Sequence, residues 1–322
     1  MNGVPCTCQL QHDGFASASL FREGTSITFV FMSAARTFGS VKMRSRELAQ
    51  MLETYDSALR VDAIPLEFFK GGSDVIVASK TCAKVPGAEK FFRRESRRKT
   101  TILYDLVDGN PRSTRKLDSY ISGFICSSPS EFAFRQEENQ PAFMVHHHVD
   151  QRLHATRSTT SEFSVGYAGA PYNSRHLEQI SIDVFDTSLL REDPGLVRLS
   201  AFLDTHSHHY SVREPEKRKI FKPSLKAFIA SFYSKAFIGS REDDESLAVL
   251  GDDYPYLSRS SSLSDVTEII EYARETFLTD IHSEALAKMD EIRPLYCPAS
   301  VVESLHSAIA LSILPSQKLS NG

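Results

Sequence analysis

No apolar run in this 322-residue chain approaches the ~20 residues that a membrane-spanning helix needs. The first 25 residues lack the basic start and apolar middle of a signal peptide and read as a loose leader. There is no excess of cations: 37 Lys and Arg stand against 41 Asp and Glu, a net charge of -4. That balance gives no overall excess of cations for either nucleic acid or anionic lipid. The one local exception is the cluster RRESRRK at 93–99, a contact face or an ordinary solvated one. Cysteines are few and odd in number: Cys6, Cys8, Cys82, Cys126 and Cys297. Cys6 and Cys8 have no second pair with which to complete a zinc site, so reduced thiols are expected. A cytoplasmic protein follows as the expectation, with peripheral contact at the inner face of a membrane left open.

What the chain does have is alternation of strand and helix patterns. Ser26–Met32 (SITFVFM) is rich in β-formers, and a glycine-containing loop leads from it into VKMRSRELAQMLETY, where Leu48, Met51 and Leu52 repeat at helical spacing. Leu59–Ile64, SDVIVAS at 73–79, TTILYDLVD at 100–108, DSYISGFICSS at 118–128 and PAFMVHHHVD at 141–150 read as further strands. Helical material lies at Val85–Arg98 and near Pro129–Gln136. After Asp150 the polar QRLHATRSTTSEF reads as an interdomain linker. A second series follows. FSVGYAGAPYNSRHLEQI at 163–180 is expected as strand, Gly-rich turn and helix, and HHYSVR at 208–213 as a strand. SIDVFD and RLSAFLDTHS are less defined pieces, and helices are expected at 264–277, 282–292 and 301–314. The fold class implied is α/β, with parallel sheets covered on both faces. The domains are a leader (1–25), an N-terminal half (26–155) and a C-terminal half (156–299), with a last helix (300–318) that can pack back on the first half. Ligands of such sheets bind beyond the carboxyl ends of strands, so a cleft between the halves is the expected site.

The segment FKPSLKAFIASFYSKAFIGSREDDESLAVLGDDYPYL, running from Phe221 to Leu257, carries the clearest chemistry. Lys222 and Lys226 bracket a helix start, whose unpaired N–H groups and positive end favour an anion. Arg213, at the end of the preceding strand, joins them. A diphosphate suits that trio; a solvated basic face is the alternative. Gly39 and Ser40 follow the first strand where backbone can approach a ligand, and Arg44 lies about a turn on, able to reach a phosphate or acceptor. A simple tight turn with a surface arginine is the alternative. Asp105 and Asp108 end a first-half strand and are the carboxylates placed to act as a base, a turn or cap role being the alternative for Asp108. Three successive histidines, His146, His147 and His148, alternate faces on a strand and so cannot all chelate one ion. HSHH at 206–209 reads as structural. Neither Asp243-Asp244 nor Asp252-Asp253 is flanked as a metal site.

The order of these motifs resembles a nucleotide-sugar glycosyltransferase of the GT-B type. The carriers are TFGSVKMRSRELAQML, SDVIVASK, ILYDLVDG, GFICSSPSEFAF, HHHVDQRL, SVGYAGAPYNSRHL and FKPSLKAF followed by GSREDDESLAVL, which together span most of 26–312. The resemblance implies two Rossmann-like domains, a donor bound mainly by the second, and transfer of a sugar to a hydroxyl of a glycan, glycolipid or small molecule. It implies no catalytic metal and no cofactor, the nucleoside-diphosphate sugar being substrate, and polysaccharide biosynthesis as a setting. Gly166, Tyr167 and Gly169 match the loop that opens the donor domain, and Ser240 and Glu245 match its later donor loop. Gly166-x-x-Gly169 is also a poor dinucleotide fingerprint, and Tyr167 reads equally as an ordinary turn tyrosine. One departure stands out. Many retaining members open the helix with a glutamate where this chain has Lys226, which cannot accept hydrogen bonds from a ribose. Retaining or inverting chemistry therefore stays open. So do another nucleotide-sugar activity such as epimerisation and a binding module without catalysis.

Overall fold

A computed structural model describes residues 21–188, 196–213 and 220–313, so most of the expected leader, Cys6 and Cys8, and the end of the expected last helix lie outside the described residues. These residues fall into two compact units. One takes the chain up to His147, a short stretch ending at Lys222, and the segment from Pro298 onward; the other takes the chain from His148 and Pro223–Cys297.

In the first unit the elements run β1 (Ser26–Phe31), α1 (Gly39–Val41), α2 (Leu48–Tyr55), β2 (Arg60–Pro65), β3 (Val75–Ser79), α3 (Ala88–Arg97), β4 (Thr101–Asp105), β5 (Gly123–Cys126), α4 (Pro129–Glu137) and β6 (Ala142–Met144). The six strands form one sheet in the order β2-β1-β3-β4-β5-β6, every pair parallel. Successive residues on a strand face opposite sides, which is why the unit has two apolar layers. Phe29, Val75, Val77 and Leu103 face Leu48 and Leu52, whereas Val30, Ile76, Ile102 and Tyr104 face Phe92 and Leu117. Between α1 and α2 the helix widens into a π-helical stretch, Lys42–Glu47.

The second unit adds β7 (Val165–Ala168), β8 (Asp183–Phe185), α5 (Val197–Thr205), β9 (His208–Tyr210), α6 (Leu225–Phe232), β10 (Ala236–Ser240), α7 (Asp244–Leu250), β11 (Leu257–Ser258), α8 (Leu263–Glu275) and α9 (Asp280–Ile292). Its sheet is again parallel, in the order β11-β10-β9-β7-β8. The last helix, α10 (Pro298–Ile313), lays Val301, Val302, Leu305 and Ile309 on the first unit's core, against residues such as Ile27 and Leu48. No described helix is long and apolar enough to cross a membrane.

Two sequence expectations are corrected. The helix expected near 171–180 is a single 3-10 turn, Pro171–Asn173, followed by irregular chain. Its backbone groups are used elsewhere: Arg175 N donates to Val212 O (2.9 Å), and His176 adopts a left-handed φ of 62° that ends any helix. The expected linker is pinned along the second unit. His154 N donates to Ser200 Oγ (3.2 Å), Ser158 Oγ to Asp204 O (3.1 Å), Thr156 Oγ1 to Asp204, and Lys235 Nζ to Ser158 O (2.6 Å). The division between units accordingly falls at His147, ahead of that segment.

The central strand β9 carries two buried histidines. His208 sits among Phe163, Tyr256, Phe277 and His282, and His209 Nε2 donates to Leu203 O (2.8 Å). Burial is the main cause that lowers both from 6.5 to about 3. An unfolded chain therefore takes up protons below about pH 6.5 that the folded chain refuses until about pH 3. Stability is expected to be full above about pH 6.5 and to fall progressively below it, by about 2 kcal/mol per buried histidine at pH 5. Urea unfolding at pH 7 and pH 5 measures this, and His208→Phe should flatten the pH dependence.

Candidate functional site

At the carboxyl end of the second unit's sheet, the loops after β7, β9 and β10 meet the first turn of α6. Ser224 is the residue before α6, whose first turn holds no acid. Lys226 projects from that turn across the end of β7: its ammonium donates to Ala168 O and lies 4.5 Å from the Tyr167 ring centroid. Gly169 makes this approach possible, because a Cβ there would run into Lys226 Nζ and the Tyr167 hydroxyl. Tyr167 is fully buried and donates its hydroxyl to Ala170 O (2.7 Å), so it shapes the loop from below and does not offer a stacking face. Gly166 also has a packing reason, since a Cβ would meet the His206 ring at 2.7 Å.

Arg213 is held differently from the sequence expectation. Its guanidinium grips Asp243 in two-pronged fashion, Nη2 to Oδ1 at 2.8 Å and to Oδ2 at 2.6 Å, with Nε to Oδ2 at 3.1 Å. Asp243 precedes α7 and also accepts from Ser246 Oγ (2.6 Å), and Ser246 Oγ meets Ser224 Oγ at 2.7 Å. This chain ties the starts of α6 and α7 together and compensates the charge of Arg213 with an aspartate. Lys226 is thus the cation set at the α6 start, while half-buried Lys222 belongs to the short stretch that clusters with the first unit. Ser240 is buried at the end of β10, its Oγ accepting from Glu242 N (3.2 Å). Glu245 is buried as well, close enough to Tyr296 to raise that phenol along with burial.

Sequence reading missed a neighbouring group. Ser261 N donates to Glu242 (2.8 Å), Arg175 Nη1 donates to Ser261 Oγ (3.0 Å), and His176 Nε2 lies 2.8 Å from Ser261 O. The bonds from Ser261 hold Glu242 below the usual carboxylate range. Arg175 and Ser261 are 86 positions apart, and no local spacing signals the contact. Tyr172, 87% exposed, stands on the loop after β7.

In the first unit Gly39 is exposed at the start of α1, in open space, and Ser40 is half-buried. Arg44, expected to reach outward, points inward and is 1% exposed. Its Nε donates to Asp105 Oδ2 (2.8 Å) and its Nη1 to His146 O (2.7 Å), while Nη2 is buried without a hydrogen-bond partner. Asp105 is likewise 1% exposed; burial pushes its carboxyl up against the opposing pull of Arg44. It also accepts from Val107 N (3.3 Å). An enclosed, ion-paired carboxylate cannot touch an acceptor hydroxyl, so Asp105 organises the strand end and Asp108 becomes the accessible carboxylate. Asp108 has 38% of its side chain exposed, a left-handed φ of 54°, and Lys80 Nζ at 3.7 Å. His146 is lowered to about 4 by burial and by Arg44, which leaves it neutral and weakly basic at pH 7. Among the described residues no three His, Cys, Asp or Glu side chains converge as a metal site.

No family model matches the sequence, and no curated protein matches it. Solved structures match its fold. Anabaena Alr3699/HepE in complex with UDP and glucose is 11% identical with a TM-score of 0.61, over 89% of this chain and 100% of that one. A glycosyltransferase from Rickettsia africae ESF-5 is 10% identical with a TM-score of 0.62, over 92% and 100%. Sucrose-phosphate synthase from Thermosynechococcus elongatus is 10% identical with a TM-score of 0.62, over 89% and 98%. At this identity the likeness shows the fold, and the chain has the GT-B fold.

Breaking the buried pair by Asp105→Ala leaves Arg44 enclosed without its counter-ion and is expected to cost about 3–5 kcal/mol. The double replacement Arg44→Met with Asp105→Leu should recover much of that loss. Urea denaturation followed by circular dichroism compares the two.

Proposed function

We propose that this protein is a glycosyltransferase that moves a sugar from a nucleoside-diphosphate-sugar donor to a hydroxyl of a glycan, glycolipid or small-molecule acceptor, in the cytoplasm and without a divalent cation. The observation that carries the reading is the start of α6. A helix N-terminus without acids, a lysine set beside a glycine-bounded strand end, and a parallel sheet's carboxyl edge together favour an anionic group. Support comes from solved structures of this fold, among them Anabaena HepE in complexes with UDP and with UDP-glucose.

In this reading the α6 N–H groups and Lys226 face the donor diphosphate. As the bond from the anomeric carbon to the β-phosphate oxygen breaks, charge grows on that oxygen, and fixed positive groups stabilise it more in the transition state than in the ground state. The acceptor oxygen bonds to the anomeric carbon. Its proton passes to Asp108 in an inverting reaction; in a retaining one the protein chiefly positions the two substrates. The Arg213–Asp243 pair acts indirectly, by fixing where α6 and α7 begin.

A thermal-shift screen against nucleoside diphosphates and their sugars, with and without EDTA, tests the reading. A ligand at a hundredfold over its Kd is expected to add about 2.7 kcal/mol of stability. Lys226→Ala should weaken that shift about tenfold in Kd, at the strength of a charge-assisted hydrogen bond. Asp108→Asn should leave the shift intact and slow an inverting transfer by about 10²–10⁴. Donor binding with no turnover on any acceptor would point to a binding module, and no shift with any nucleotide would overturn the proposal.

A further inference from the structure

The helix α3 raises a separate question, because its charge is far from that of the whole chain. Between Lys84 and Lys99 stand seven lysines and arginines against two glutamates. One of those glutamates, Glu95, is completely buried and serves as an internal anchor. Arg94 Nε (2.7 Å) and Arg98 Nη1 (3.2 Å) both donate to its Oε1, each with about half its side chain in solvent. Lys90, Arg93, Arg94 and Arg97 lie on the outer side of the helix, opposite buried Ala88 and Phe92.

An apolar element adjoins this field. The turn after β2 carries Phe68, which is 68% exposed, followed by Phe69 and Lys70. Phe69 packs edge-on against Phe91 of α3, with ring centroids 5.8 Å apart, and the Arg94 guanidinium lies 5.3 Å from the Phe91 centroid. Further along, Gly71 takes a φ of 95° and leaves no room for a Cβ beside the Arg98 guanidinium. The turn and the helix therefore form one continuous surface, an exposed phenylalanine bordered by cations.

We propose that this surface docks the first unit on an anionic phospholipid bilayer, with Phe68 entering the interface and the α3 cations meeting headgroup phosphates. The two halves of the patch suit two layers of one target. Cations gain from the negative surface potential, by roughly fivefold in partition per Lys or Arg, and a ring without polar atoms gains by leaving water at the acyl boundary. Single-stranded nucleic acid is the competing partner, but it is bound by aromatic rings interleaved with cations along a groove. On α3, of the rings between the cations, Phe92 is buried and Phe91 is half-buried with Phe69 and Arg94 against it, so no row of open rings alternates with the cations, and Phe68 stands at the border. The inference concerns where the protein sits and is independent of the donor reading.

Cosedimentation of the full-length protein with vesicles tests it. The protein is expected to partition onto phosphatidylcholine vesicles containing about a third phosphatidylglycerol, to leave them as salt rises, and to ignore pure phosphatidylcholine. Lys90→Gln with Arg97→Gln should lower partition about 25-fold, and Phe68→Ser about tenfold. Melting temperature and nucleotide shift should be unchanged in these variants, which separates a failure of this proposal from a failure of the donor site. Absence of binding to anionic vesicles, equal binding to neutral ones, or unchanged partition of the folded variants would overturn it. So would displacement by an oligothymidine strand at matched phosphate concentration, which would assign the face to nucleic acid.

Discussion

Every strand pair in both sheets is parallel, and that single constraint arranges nearly everything else. A parallel neighbour can be reached only by a crossover, so all strands of a sheet deliver their following loops to the same edge. In the second unit this edge gathers the ends of β7, β9 and β10 with the start of α6, although the residues concerned are spread from Ala168 to Asp243. No side chain has to be brought there by a special device. What the side chains decide is how much of the positive charge collected at that edge is left to act.

On that point the two units behave alike. Each contains an arginine that sequence reading assigned to an external anion, and each uses it internally. Arg44 is held by Asp105 and His146 O, and Arg213 by Asp243. In both cases an enclosed or half-enclosed guanidinium is costly unless a carboxylate meets it, and a two-pronged grip also fixes the geometry of its loop. Lys226 is held in another way, with a carbonyl and an aromatic face among its contacts, and these orient the ammonium across the end of β7.

The fold was largely legible because it rests on local signals. Strands such as SITFVFM and SDVIVAS are apolar runs of the right length, and α8 and α9 repeat with helical period. The candidate site was legible only in part, for a matching reason. The α6 start announces itself through neighbouring residues, whereas the partners of Arg44 and Arg213 lie 61 and 30 positions away and have no local signature. The same blindness explains the helix expected near 171–180: its pattern is locally acceptable, but Val212 O claims the Arg175 N–H. Gly166 and Tyr167, read from the sequence as donor-loop residues, lie on β7, and both serve packing there.

The π-helical stretch between α1 and α2 has a geometric consequence of its own. A turn that closes on the fifth residue instead of the fourth holds one extra residue, so the face presented after it is rotated by about 100° from that of an unbroken α-helix. The contact between Lys42 and Glu47, five positions apart at 3.5 Å, marks the wider turn. The stretch aims Arg44 at Asp105, and the helix after it lays Leu48, Met51 and Leu52 on the sheet. The inserted residue thus works as a phase shift between a polar task and an apolar one. A deletion of one residue within Lys42–Glu47 would let the wide turn close as ordinary α-helix, with the faces on either side of it kept in phase.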